Sequence, residues 1–146
     1  MFPNFFKKEP LPKELNDTFI AIVEHLNSYN NKEDALKEAY QIVATKFESS
    51  RLKTFTMFRR GFIKDPEKMW QKNFLHCFQV NYLLRMFLVK SKWFKDEDIK
   101  LKISCIYYIT PHQYLRIKLS DNQYMNVDPW GYDFGIKLGD YLYGFH

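Results

Sequence analysis

Asn73-Phe74-Leu75-His76-Cys77-Phe78-Gln79-Val80-Asn81-Tyr82-Leu83-Leu84-Arg85-Met86-Phe87-Leu88 is the stretch from which the rest of the chain is read. After Cys77, apolar residues recur at Val80, Leu83, Leu84, Phe87 and Leu88, the spacing that turns one stripe of a helix towards a core. Asn73 is the expected N-cap, its side-chain oxygen accepting from a free backbone N–H of the first turn, and Cys77 then follows within about one turn. Near a helix start the macrodipole favours thiolate over thiol, so Cys77 reads as a nucleophile. Cysteine is also among the most buried residue types, and simple core packing is the competing reading until partners are found.

With 146 residues and 46% hydrophobic content, the expectation is one domain over residues 1–146, of which 1–12 form an irregular lead-in around Pro10 and Pro12. The formal charge of +5 is spread over every expected element, which describes a solvated surface better than a basic patch. Two cysteines make no disulfide framework, the N-terminal residues lack the order of a signal peptide, and no apolar run of about 18 residues is present. A cytoplasmic protein without membrane or nucleic-acid partners is expected. A first helix spans about Lys13 to Ser28, with Leu15, Phe19, Ile22, Val23 and Leu26 inward; His25 has no acid or cysteine at ligand spacing. Asn30 or Asn31 caps a second helix through about Phe47, and the two should pack antiparallel. Glu48 to Lys64 reads as loop. Asp65-Pro66-Glu67 starts a short helix through about Gln71, with a capping acid followed by proline at the first helical position.

Beyond the polar connection at Lys90-Ser91-Lys92 and Asp96-Glu97-Asp98, the period changes to two. Leu101 to Ile109, His112 to Leu119 and Tyr124 to Asp128 read as strands. Cys105, between apolar residues at alternate positions, is expected in the core. In the second strand Leu115, Ile117 and Leu119 are aliphatic; in the third, Met125 and Val127 are apolar. A hairpin closed by Ser120-Asp121-Asn122 must therefore pair odd with odd residues, because a slip of one would exchange the faces. His112 and Asp128 then share the other face, opposite or one diagonal step apart, about 4.5 to 8 Å between β-carbons. That is within reach of an imidazole–carboxylate hydrogen bond.

Cys77, His112 and Asp128 in that order have a chemical reading. The thiolate attacks a carbonyl, the imidazole moves the proton, and the carboxylate orients the ring. A helix-start cysteine followed by strand-borne histidine and aspartate resembles the transglutaminase-like branch of the papain-type fold. His112-Gln113-Tyr114-Leu115-Arg116-Ile117 is similar to that family's His-x-aromatic-x-x-aliphatic strand. Asn126-Val127-Asp128-Pro129-Trp130-Gly131 is similar to its aliphatic-Asp-Pro segment and is the more specific match. The resemblance covers about Ala35 to Gly131. It implies an α+β fold, with N-terminal helices and a central nucleophile helix packed on a C-terminal antiparallel sheet of three to four strands. It also implies thiol acyl chemistry on an amide or isopeptide of a peptide or protein, by hydrolysis or transamidation, with no cofactor. By the same likeness Gln71 is the candidate oxyanion donor, with Trp70 beside it and the Cys77 backbone N–H as a second donor. The family commonly has glycine close before the nucleophile, where this chain has Leu75-His76.

Three other readings compete. A non-catalytic binding module on the same fold would keep the triad in a closed cleft. A metal site from His76, Cys77, His112 and Asp128 lacks the close-pair spacing of zinc sites. A nucleic-acid-binding domain would use the positive charge and the aromatics, but no recognition motif is present.

Overall fold

Capping side chains decide where the helices begin. Asn16 accepts from the Phe19 N–H at 2.8 Å, so α1 runs Asp17–Asn27 and starts a turn later than the Lys13 expected from hydrophobic periodicity. Asn31 accepts from the Asp34 N–H at 2.8 Å and opens α2, Lys32–Lys46. Asp65 caps α4, Pro66–Trp70, through the Glu67 N–H, with Pro66 at the first helical position as expected. The computed structural model describes residues 7–106 and 110–144. The expected extension of the first strand to Ile109 falls partly outside them, as do the first six residues of the lead-in. Residues 7–12 carry no regular structure; their backbone bonds to the central helix, with Tyr82 Oη donating to the Pro10 carbonyl and Arg85 to that of Glu9.

The segment from Glu48 to Lys64, expected as loop, contains α3, Arg51–Thr56, and a 3₁₀ turn, Phe58–Phe62. Ser50 caps α3 by accepting from the Lys53 N–H. The periodicity that normally announces a helix is absent because Leu52, Phe55 and Phe58 face solvent.

The central helix α5 spans Cys77–Lys90, and every residue from Phe78 to Leu88 is buried. It is enclosed all round, and the single stripe from Val80 to Leu88 is only part of its contact surface. Its polar members each make a hydrogen bond, although Asn81 Oδ1 has no partner among the described residues. Gln79 and Asn81 reach backbone carbonyls of neighbouring elements, and Arg85 reaches Asp96 at 2.8 Å. At its helical side Phe87 meets Phe19 of α1 and Trp70 of α4 edge-on, with centroids 5.4 and 5.6 Å away, and Trp70 also meets Phe47 at 5.7 Å.

Strands β1 (Ile99–Ile106), β2 (Thr110–Ser120) and β3 (Gln123–Val127) form an antiparallel sheet in chain order. The domain is thus α+β, helices first and a small three-stranded sheet after them. Leu115 pairs with Val127 and Ile117 with Met125, odd with odd as the hairpin argument requires, and a bulge at Ser120 absorbs the turn. Leu115, Ile117 and Val127 are fully buried. Cys105 is not in the core as expected but exposed. It shares a face with Ile99, yet Ile103 on that face is already 42% exposed, so the apolar cover ends before Cys105 is reached. Among the described residues no helix is long and apolar enough to cross a membrane.

Truncating Phe87 to alanine removes the ring on which the α1 and α4 contacts converge. The expected loss is about 3–5 kcal/mol of unfolding free energy, read from urea denaturation as a lower midpoint with an unchanged slope.

Candidate active site

The start of α5 places the sulfur. His76, not Asn73, is the N-cap: Gln79 Oε1 accepts from the His76 N–H at 3.1 Å, which makes Cys77 the first helical residue. Asn73 is engaged elsewhere, its carbonyl accepting from the Glu48 N–H and its Oδ1 from Arg60. The correction moves Cys77 closer to the positive end of the helix dipole than a cap at Asn73 would. Ahead of it, His76 has φ −73° and ψ 159°, extended backbone open to any residue, so no glycine is needed there. Leu75 is held by its carbonyl, which accepts from Trp130 Nε1 at 3.0 Å.

His112 comes from β2, and Asp128 is the residue that follows β3. Extending the observed register by one residue sets Asp128 opposite Tyr114, one diagonal step from His112. The Nε2 of His112 lies 2.7 Å from Asp128 Oδ2, and both residues are buried. The Cys77 side chain lies close enough to His112 to act on its charge. With Nε2 committed to Asp128, Nδ1 is the nitrogen left for the thiol. Burial by itself pulls the ring's pKa down, but the charge and hydrogen bond of Asp128, joined by the Cys77 side chain, push it up to about 10. The ring is therefore an imidazolium at neutral pH, beside a sulfur that is partly open to solvent.

Asp128 is fixed by more than the histidine. Its Oδ1 accepts from the Gly131 N–H at 3.1 Å, capping the 3₁₀ turn Pro129–Phe134, and its Oδ2 also accepts from the Leu142 N–H at 2.8 Å. Gly131 fits closely here: a β-carbon would lie 3.0 Å from Asp128 Oδ2 and from Ile136, so those side chains would have to give by a few tenths of an ångström. The Trp130 ring lies against the imidazole, with centroids 5.5 Å apart. A second polar link joins the two walls of the site. Asn81, one turn along α5 from Cys77, donates to the backbone and side-chain oxygens of Gln113, the neighbour of His112, at 3.0 Å.

The structure thus brings together Cys77, His112 and Asp128. Trp70 packs in the aromatic cluster described above, and Gln71 is an exposed residue capping the C-terminus of α4. No described hydrogen bond joins either to the triad. Gln79 does not replace Gln71, because its Nε2 donates to the carbonyls of Arg60 and Ile63. The Cys77 backbone N–H is the first in its helix and has no intrahelical acceptor. His76 is turned away: its Nε2 donates to the Met57 carbonyl at 3.2 Å and its ring stacks on Phe78. Burial chiefly, and the Arg60 charge, lower its pKa against the opposing Met57 bond, so the cap is neutral at pH 7. Among the described residues no group of three or more His, Cys, Asp and Glu is disposed to hold a metal ion. The contributions of Trp130, Gly131 and Asn81 were not read from sequence; Trp130 and Gly131 lay within the quoted aspartate motif, whereas Asn81 carries no local signal.

No protein-family model, curated protein or solved structure matches the chain.

Two measurements test this geometry. With iodoacetamide at pH 6, Cys77 should react about tenfold or more faster than the exposed Cys105, and His112→Ala should abolish the difference. The second is stability against pH. The folded pKa of His112 lies above its ordinary 6.5, so its pairing stabilises the fold fully below pH 6.5 and the contribution is lost as pH rises through about 10. The urea midpoints of the wild type and Asp128→Asn should therefore be furthest apart near pH 6 and converge towards pH 10.

Proposed function

We propose that this chain is a transglutaminase-like thiol enzyme on a papain-type core, which cleaves or transfers the acyl group of an amide or isopeptide in a peptide or protein. The observation that carries the reading is the continuous link from a helix-start thiol through a buried imidazole to a buried carboxylate. Each residue is of the type its task needs, and each is held by a different element.

The reaction begins from Cys77 thiolate and His112 imidazolium. Sulfur attacks the amide carbonyl, and the carbonyl oxygen, now an oxyanion, takes the Cys77 backbone N–H. As the intermediate collapses, the C–N bond breaks and Nδ1 of His112 gives its proton to the departing amine. A thioester on Cys77 and a neutral imidazole remain. Water or a second amine then attacks the thioester carbonyl, Nδ1 takes the proton from that nucleophile, and the thiolate leaves. The acid or the new amide is released, and the starting ion pair is restored. Asp128 holds the ring in the tautomer with hydrogen on Nε2 throughout and offsets the imidazolium charge. Hydrolysis and transamidation differ only in the nucleophile of the second half.

p-Nitrophenyl acetate tests the reading without knowledge of the natural substrate. The wild type should show a burst of nitrophenol, an acetyl group on Cys77 by intact mass, and continued turnover. Cys77→Ala should lose the burst and the turnover. Asp128→Asn should stay folded by circular dichroism with turnover reduced by up to about 10⁴-fold. Acetylation of Cys77 no faster than that of Cys105, without turnover, would refute the proposal.

A further inference from the structure

Residues 141–144 lie across the sheet on the side that carries His112 and Asp128, with moorings on both sides of that pair. The ring of Tyr141 stacks flat on Tyr114, with centroids 4.0 Å apart and planes 6° from parallel. Tyr114 is the residue that the register sets opposite Asp128. The carbonyl of Leu142 accepts from Ser104 Oγ at 2.6 Å, and Ser104 pairs directly with His112 across β1 and β2. Between these two moorings the Leu142 N–H donates to Asp128 Oδ2, the same oxygen that holds the histidine. Gly144 then bonds the Cys105 carbonyl at 2.9 Å and makes a parallel bridge with Ile106. Leu142 is fully buried.

We propose that this segment is a strap that positions the catalytic carboxylate, so that the thiol–imidazole pair is assembled only when the strap is docked on Tyr114 and Ser104. The inference rests on the thiol reading given above and assigns Leu142 a positioning role through its amide. A buried carboxylate is unfavourable unless hydrogen bonds replace its lost water. Asp128 has two backbone donors for this, Gly131 on Oδ1 and Leu142 on Oδ2. Without the second, Oδ2 is held by His112 alone and its cover is removed, so the carboxylate can turn towards water and the ring loses its fixed partner. The titratable groups that face the pair are Cys77 from α5, Tyr40 from α2, Tyr114 from β2 and Tyr141 from the strap itself. Tyr40 is pushed up to about 12 and Tyr114 is raised, each chiefly by burial, so changes of His112 below pH 9 belong to the Asp128 and Cys77 contacts.

The test uses the full chain with Leu142→Pro, which deletes the donor, Tyr141→Ala, which deletes the stacking ring, and Tyr141→Phe, which keeps it. The readouts are iodoacetamide labelling of Cys77 between pH 6 and 8.5, and NMR titration of the His112 ring. Both disruptive variants should label as slowly as His112→Ala, and their His112 midpoint should fall from about 10 towards 6.5, while Tyr141→Phe behaves as wild type. Wild-type labelling and titration in a folded Leu142→Pro or Tyr141→Ala would overturn the inference; if Leu142→Pro does not fold, Tyr141→Ala decides. A wild type whose labelling ignores His112 would defeat the thiol reading, and the His112 titration would still decide whether the strap holds Asp128.

Discussion

The bond between His112 and Asp128 is the interaction on which the rest of this molecule is arranged. A charged pair in a dry place is favourable only when geometry and further hydrogen bonds offset the loss of water. Here the offset is spread over the fold. The hairpin register sets the diagonal, the turn after β3 supplies one backbone donor, and residues 141–144 supply another. Gly131 keeps the space beside the carboxylate clear. Asp128 follows a strand, caps a 3₁₀ turn and bonds an imidazole at once, so a change in any one of these would be felt in the others.

Much of this was legible in the sequence, because two-residue periodicity ties register to burial. Leu115, Ile117, Met125 and Val127 can enter a core together only if odd residues pair with odd, and that condition puts His112 within reach of Asp128. The cap residues Asn31 and Asp65 were equally legible, since their chemistry is local. What escaped depended on partners remote in sequence. Asn73 has the right side chain for a cap, but bonds to Glu48 and Arg60 use it elsewhere, and Gln79 makes His76 the cap instead. Alternation around Cys105 correctly indicated a strand, but alternation says nothing about where the cover over a strand ends. Helix α3 was hidden for the converse reason, with apolar residues turned to solvent and no inward stripe to count.

The use of Leu75-His76 ahead of the helix has a physical account in the same terms. A glycine ahead of a nucleophile is needed where the backbone takes a positive φ or where another group approaches the α-carbon closely. At His76 the backbone is ordinary extended chain. Side chains can therefore be used to fix the helix start: Leu75 is buried and its carbonyl bonds Trp130, while the His76 ring bonds the Met57 carbonyl. These two residues anchor the first turn to the aspartate turn on one side and to the 3₁₀ segment on the other. Cys77 itself remains partly exposed.

A helix buried on every side would be placed most stably by apolar packing alone, yet α5 carries Gln79, Asn81 and Arg85. Apolar contacts are non-directional and tolerate small sliding and rotation of a helix, whereas a hydrogen bond weakens steeply once its angle is lost. Gln79 ties the first turn to Arg60 and Ile63, Asn81 ties the second to Gln113, and Arg85 ties the third to Asp96. The middle tie joins the turn after Cys77 to the residue after His112. The helix that carries the sulfur and the strand that carries the imidazole are thereby joined through one short side-chain link. Polar groups that a purely apolar core would omit are thus found where position matters more than the burial they displace.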